Sequence, residues 1–216
     1  MSTTLHIPLF PLGSVLFPGG QLPLQIFEVR YLDMVKRCVA DGTPFGVVCL
    51  TQGHEVQQAD THSGGFKDER FAPLGTLAHI AEWHQPQAGL MLIRSEGRER
   101  FTVQHSERLK HGLWMADVTV LPADVPVAVP PELVGLPQRL HQLHQHLHNQ
   151  QPGMLPPYPP YNEASGPWAD AGWVAHRWAE LLPIAPEAKQ RLLAIDSPLL
   201  RLELVGDVLE QLGVAD

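Results

Sequence analysis

The spacing of the apolar residues changes once along the chain, near Pro122, and that change constrains the fold more than any other feature. Up to Val120 the pattern is mostly that of strands. Leu5, Ile7 and Leu9 alternate with polar or proline positions, and Leu22, Leu24 and Ile26 do so against Gln21, Pro23 and Gln25. Strict alternation puts one face of a strand on a core. Pro23 cannot donate to a ladder, so its strand is expected at an edge or a bulge. Residues 45–50 form a continuous apolar run, and residues 75–81 and 114–120 return as strands. Residues 90–94 and 101–104 flank Glu96-Gly97, as the arms of a hairpin would. Residues 27–39 differ: Phe27, Tyr31, Met34, Val35, Cys38 and Val39 fall at helical spacing, and Asp41-Gly42 supplies a stop. Residues 51–73 are polar, carry Gly64-Gly65, and read as an exposed, mobile loop. About six or seven short strands around one helix predict a small, partly closed barrel.

Beyond Pro122 the period becomes helical. Pro122, Pro126, Pro130, Pro131 and Pro137 mark a linker. Helices are expected over residues 132–148, 168–182 and 186–195, with a last one starting at Ser197-Pro198, a cap followed by a first-turn proline. In that last helix Leu199, Leu202, Val205, Leu209 and Leu212 form a stripe, widened by Leu200, Leu204 and Val208. So wide an apolar face calls for burial in a bundle. The sequence thus divides into a β-rich part, residues 1–121, and a helical part, residues 122–216.

Within the first part, Ile7-Pro8-Leu9-Phe10-Pro11-Leu12 leads to Val15-Leu16-Phe17-Pro18-Gly19, and then to Leu22-Pro23-Leu24-Gln25-Ile26-Phe27-Glu28-Val29-Arg30-Tyr31. Phe45-Gly46-Val47-Val48 follows. In this order the elements resemble the opening of the N-terminal, substrate-binding domain of the ATP-dependent protease Lon. Asp196-Ser197-Pro198-Leu199 is similar to a turn that joins two helices in the same region of Lon. The resemblance implies an α+β fold: a small PUA-like pseudo-β-barrel with one helix, followed by a C-terminal helical bundle. It also implies recognition of a polypeptide or partner protein, since this region of Lon helps select substrates, and it implies no cofactor. The PUA-like kinship raises an RNA-binding module as the alternative.

Lon's ATPase and peptidase modules are a different matter. A phosphate loop needs G-x-x-x-x-G-K-[ST], so that backbone amides and a lysine cradle phosphate. The four lysines are Lys36, Lys67, Lys110 and Lys189, and none follows a glycine. No G-x-S-x-G nucleophile elbow is present either. The chain therefore reads as a stand-alone recognition part and not an enzyme. Its net charge of −8 disfavours nucleic acid and anionic membranes, both of which call for a basic footprint. No run of 18 apolar residues and no export signal is found, so a cytoplasmic protein is expected. Cys38 and Cys49 sit among apolar neighbours and read as buried free thiols.

Four places carry candidate chemistry. Glu28, Arg30 and Tyr31 come from the Lon-like motif, and the opposite charges around a helix start are expected to brace it. His141, His144 and His148 share a helix face and are weak candidates for metal, lacking further ligands in sequence, so no metal is expected and a solvated face is the alternative. Arg94, Arg98, Arg100, Arg108 and Lys110 crowd one hairpin, but Glu96, Glu99 and Glu107 interleave. Finally, Met154-Leu155-Pro156-Pro157-Tyr158-Pro159-Pro160-Tyr161 is a proline- and tyrosine-rich patch that either packs internally or binds a partner. A peptide-binding groove is expected where the two parts meet, with Phe17, Pro18 and Phe27 on one wall and Tyr158 and Tyr161 on the other. Purified protein is predicted not to hydrolyse ATP. Turnover that a single substitution abolishes would overturn this.

Overall fold

The computed structural model describes residues 3–53, 55, 68–151 and 155–213. Its contacts group into two compact units, Met1–Ala123 with Ala185–Gln190, and Asp124–Ile184 with Arg191–Asp216. The first boundary falls between Ala123 and Asp124, and the short segment 185–190 groups with the first unit.

Six strands and one helix make up most of unit 1: β1 (Thr4–Leu12), β2 (Gln21–Ile26), α1 (Val29–Asp41), β3 (Phe45–Gln52), β4 (Arg70–Gln87), β5 (Leu90–Arg108) and β6 (Trp114–Val120). The strand order is β2-β5-β4-β3-β1-β6, and β5 also pairs with β6. Five strands therefore close on themselves, with β2 outside the ring. β1 and β3 are parallel. Parallel neighbours need a crossover, which α1 supplies. Inside the ring Ile7, Leu9, Val48, Leu77, Phe101, Ala116 and Val118 form one cluster. A second cluster joins the sheet to Tyr31, Met34, Val35 and Cys38 of α1. Those four recur at helical spacing, as the sequence implies. Gly42 ends the helix with φ 63°, its N–H bonded to the Cys38 carbonyl.

β2 pairs with β5 alone, so Pro23 does sit on an edge strand. Two expectations fail around the long strands. Glu96-Gly97 is not a hairpin: β5 runs unbroken through it, and the turn lies at residues 88–89. Gly97 stands where the β4–β5 register shifts, between the pairs Thr76–Arg100 and Ala78–Gly97. Its N–H donates to the Gly20 carbonyl and its own carbonyl accepts from Gly19 N–H, each at 2.8 Å. A Cβ there would stand 2.4 Å from the Phe17 carbonyl oxygen. Glycine is thus required by the close approach of the 17–20 turn, not by a chain reversal. The loop expected over 51–73 is also shorter, because β3 reaches Gln52 and β4 begins at Arg70. Most of the remainder lies outside the described residues.

Unit 2 is built on α2 (Gly135–Gln150), α3 (Ala171–Leu181) and α5 (Pro198–Gln211). α4 (Pro186–Leu193) starts within unit 1 and ends within unit 2. Asp170 separates α3 from a short 3-10 turn at Gly166–Ala169, and its carboxylate caps the Gly172 and Trp173 amides. Trp178 Nε1 donates to the Leu136 carbonyl (3.0 Å), tying α3 to α2. On α5, Leu202, Val205 and Leu209 are buried as expected, but Leu200 and Leu212 are exposed and Arg201 is fully buried. The buried stripe is narrower than the sequence suggests, and a guanidinium lies within it.

Replacing Gly97 tests this description. Gly97→Ala is expected to cost about 1–3 kcal/mol of stability, the range for forced overpacking. An unchanged melting temperature would return Gly97 to the status of an exposed turn residue.

Candidate functional site

The Lon-like motif residues meet at the start of α1. Glu28 precedes the helix in an extended conformation, and its carbonyl accepts from Tyr31 and Leu32 N–H. Arg30, in the first turn, is buried. Its Nε lies 3.2 Å from Glu28 Oε2, and its Nη1 donates to the Gly112 carbonyl at 2.8 Å and stands 3.9 Å from Glu69 Oε1. Glu69 Oε2 in turn accepts from Trp114 Nε1 (2.9 Å). The guanidinium also lies over the Tyr31 ring, 4.4 Å from its centroid. Burial pushes the Tyr31 hydroxyl far above its ordinary range, so it stays neutral. One cation flanked by two carboxylates and a carbonyl thus fixes the helix start against β4 and the β5–β6 turn.

That brace leaves apolar side chains outside. Phe27 is 54% exposed and Val29 is 72% exposed, on either side of Glu28. Phe27 therefore does not join the core row of α1, contrary to its helical spacing, because it stands before the first turn. Two hollows adjoin the pair. The smaller, about 90 Å³, is lined by Phe10, Leu24, Ile26, Phe27, Tyr31 and Glu55, among others. The larger, about 430 Å³, runs along α1 over Pro8, Met34, Leu113 and Met115, with the exposed Asp33, Arg37 and Asp41 at its rim. Both signs of charge are present on that rim. Sequence reasoning missed this hollow. The available signal was Val29, an apolar residue two positions from Phe27 where a buried one would fall three or four away.

The remaining expected positions are placed differently. Phe17 is fully buried. It belongs to the turn clamped on Gly97, so its side chain cannot form a binding wall, and Pro18 beside it is half-buried. Tyr158 and Tyr161 are in unit 2, packed on its helices. Tyr158 stacks on His144 at 3.7 Å and meets the edges of Trp168 and Trp173, while Tyr161 stacks on His141 at 4.7 Å. The proline segment from Leu155 onward thus packs internally, and Met154 lies outside the described residues. The His-bearing face of α2 is accordingly only partly solvated: His144 is buried, while His141 and His148 are half-buried. His144 and His148 present stacked rings 6.0 Å apart, and His144 Nε2 is engaged by the Pro156 carbonyl at 2.8 Å. Nitrogens so placed do not converge on one point. Among the described residues no group of three or more His, Cys, Asp or Glu is spaced to hold a metal.

Two of the arginines of β5 are paired with acids. Arg94 bonds Glu82, and Arg98 bonds Glu96 at 2.9 Å. Arg100 is buried, and Arg108 lies over the Trp114 ring. Both cysteines are buried free thiols whose pKa burial raises, which disarms them as nucleophiles. No helix among the described residues is long and apolar enough to cross a membrane.

Residues 6–211 match the family model of the ATP-dependent protease La (LON) substrate-binding domain. The chain belongs to that family. Its 216 residues contain this Lon domain and neither the ATPase nor the peptidase module. A solved Lon N-terminal domain protein from Xanthomonas campestris is 30% identical, with a TM-score of 0.71 over 93% of this chain and 96% of that one. The N-terminal domain of the Mycobacterium avium complex Lon protease shares the fold at 13% identity, with a TM-score of 0.56 over 95% of this chain and 98% of that one. Among curated proteins, cereblon of Danio rerio is 30% identical over 65% of this chain, and cereblon of Gallus gallus 29% identical over 55%. The matches span only 30% and 24% of those two proteins.

The Lon motif's arginine is expected to be structural. Arg30→Met should cost about 3–5 kcal/mol, the range for stripping one partner from a buried ion pair. A chemical-denaturation midpoint equal to wild type would show that Glu28 and Glu69 do not depend on it.

Proposed function

We propose that this chain is a non-catalytic polypeptide-recognition module that binds extended, apolar segments at the start of α1. The observation that carries the reading is the exposed pair Phe27 and Val29, held outward by the buried Arg30 brace over two apolar hollows. Contiguous exposed apolar surface marks interaction sites, and Phe27 and Val29 each extend one of these hollows. Membership of a substrate-binding family supports the same class of function. Met34 and Met115 along the larger hollow add to it, because methionine adapts to side chains of varied shape. The outer edge of β2 can contribute backbone pairing, with Pro23 removing one donor from that edge. The closed five-strand sheet with its single helix fits a PUA-like description, and the helices of unit 2 fit a small bundle. No observation favours RNA, since the arginines of β5 are spent on carboxylates or packing.

The test uses fluorescein-labelled casein as an unfolded polypeptide, followed by anisotropy. Wild-type protein is expected to bind it. Phe27→Ser with Val29→Ser should weaken binding about tenfold or more, as loss of an interface hot spot does. The melting temperature should not move, because exposed positions contribute within about 0.5 kcal/mol. Equal affinity of variant and wild type, or binding of poly(U) RNA in preference to casein, would overturn the proposal.

A further inference from the structure

The arginine that braces α1 keeps a donor unused. Arg30 is 4% exposed, and its Nη1 donates to the Gly112 carbonyl. Its Nη2 is buried too, yet makes no hydrogen bond among the described residues. A buried donor without an acceptor is costly, and more so when it belongs to a cation. Native chains leave few of them, and the missing acceptor can come only from the space that adjoins the group. That space is the hollow of about 430 Å³ along α1. Arg30 lines it, and so do His111 and Leu113, on either side of the Gly112 that takes Nη1. The guanidinium therefore stands in the wall of the hollow, beside the apolar bed of Met34, Leu113 and Met115.

The charge around Arg30 selects the kind of acceptor. Glu28 Oε2 lies 3.2 Å from Nε and Glu69 Oε1 lies 3.9 Å from Nη1, so one guanidinium already faces two carboxylates. A third carboxylate would meet net repulsion at close range. A neutral oxygen would not, and the amide carbonyl is the neutral acceptor that each residue within a polypeptide carries.

We propose that Arg30 Nη2 is a main-chain anchor: it donates to the carbonyl oxygen of a bound residue whose apolar side chain lies in the hollow. Resting on the polypeptide-recognition role proposed above, the anchor narrows the ligand. The bound residue is internal to its chain, because a C-terminal residue would bring a carboxylate, and it is apolar and not acidic. Apolar contact has no direction, whereas a donor at a fixed point sets the register in which an extended segment is held. The donor is already fixed by Gly112, Glu28 and the Tyr31 ring, so little freedom is lost when it is used.

The test is an NMR titration of the full chain, with isotope-labelled methionine methyls and arginine nitrogens, against three small probes. N-acetyl-L-leucinamide offers neutral carbonyls and a leucine side chain. Its analogue with sulfur in place of both carbonyl oxygens keeps the shape but accepts hydrogen bonds weakly. N-acetyl-L-leucine ends in a carboxylate. The methyls of Met34 and Met115 report entry into the hollow, and the Nη protons of Arg30 report the anchor. The amide is expected to shift both sets of signals with one dissociation constant. The other two probes should bind about threefold or more weakly, as loss of a hydrogen bond to a charged donor requires. Equal binding of the amide and its sulfur analogue, binding of the carboxylate as tight as that of the amide, or Arg30 signals that stay fixed while the methionines shift would each remove the anchor and leave apolar recognition standing. If no probe shifts Met34 or Met115, the hollow takes no such residue and the anchor fails with it. Casein binding by the wild type then decides separately whether the chain recognises polypeptides.

Discussion

Everything in unit 1 depends on one strand bending without breaking. β5 pairs with β2 and β4 over its first half and with β4 and β6 over its second. A flat strand could not serve both sets of partners, and Gly97 stands where they change. There the 17–20 turn comes so near the backbone that no side chain fits. Glycine in a strand interior ordinarily weakens it by about 0.5–1 kcal/mol. Here the loss is offset by two backbone hydrogen bonds to that turn and by burial of Leu16 and Phe17 beside it. The same bend sends β2 out of the closed ring as a single-sided edge. β2 then delivers Phe27 and the start of α1 to the surface, so the candidate site is a consequence of the closure.

Each unit is pinned by a buried arginine used in the same way. Arg30 in unit 1 and Arg201 in unit 2 both donate to backbone carbonyls and both lie against a carboxylate. For Arg201 the acceptors are the Leu192 and Ile195 carbonyls, and Asp124 at 2.6 Å from Nη1. Such a residue binds segments that helices and sheets leave unfastened: the β5–β6 turn in one case, the linker and the α4–α5 turn in the other. Removing the cation would strand several partners at once, so a substitution there is expected to be costly although a buried pair adds little net stability.

Much of this was legible in the sequence, and the failures share a cause. α1 showed its buried face by spacing, β3 and β6 by their apolar pattern, and α5 by Ser197, whose hydroxyl accepts from the Leu200 amide (3.3 Å). The full lengths of β4 and β5 were not legible. Ala81 to Gln87 is exposed on both faces, so no alternation marks it as strand. Glu96-Gly97 mimicked a turn because a glycine demanded by tertiary approach looks the same as one demanded by φ. Phe27 and the histidines failed in opposite directions. Phe27, counted both in the apolar row of α1 and on a binding wall, stands in water, whereas His144, read on a solvated face, lies buried. Local sequence reports what a residue prefers, and both exceptions were decided by a distant partner: the Arg30 brace in one case, Tyr158 in the other. Arg201 gave no signal at all, since nothing in its neighbourhood distinguishes a buried guanidinium from a surface one.

The size of the candidate site sets what kind of recognition it can perform. Its two hollows hold a few side chains, each worth about 1.5–3 kcal/mol when fully buried. Against that stands the loss of translational freedom and the ordering of a flexible chain, about 4 kcal/mol or more. In the proposed role the surplus would support only weak, fast-exchanging binding to any one segment. The mixed charge on the rim adds no strong preference for sign, and the methionines adapt to varied shapes. Weak and tolerant contact suits a surface that samples many exposed apolar segments, because tight binding would retain the first one met. Discrimination would then rest on exposure: a folded protein keeps such segments inside, and only an unfolded or extended chain can offer them together with free backbone for the edge of β2.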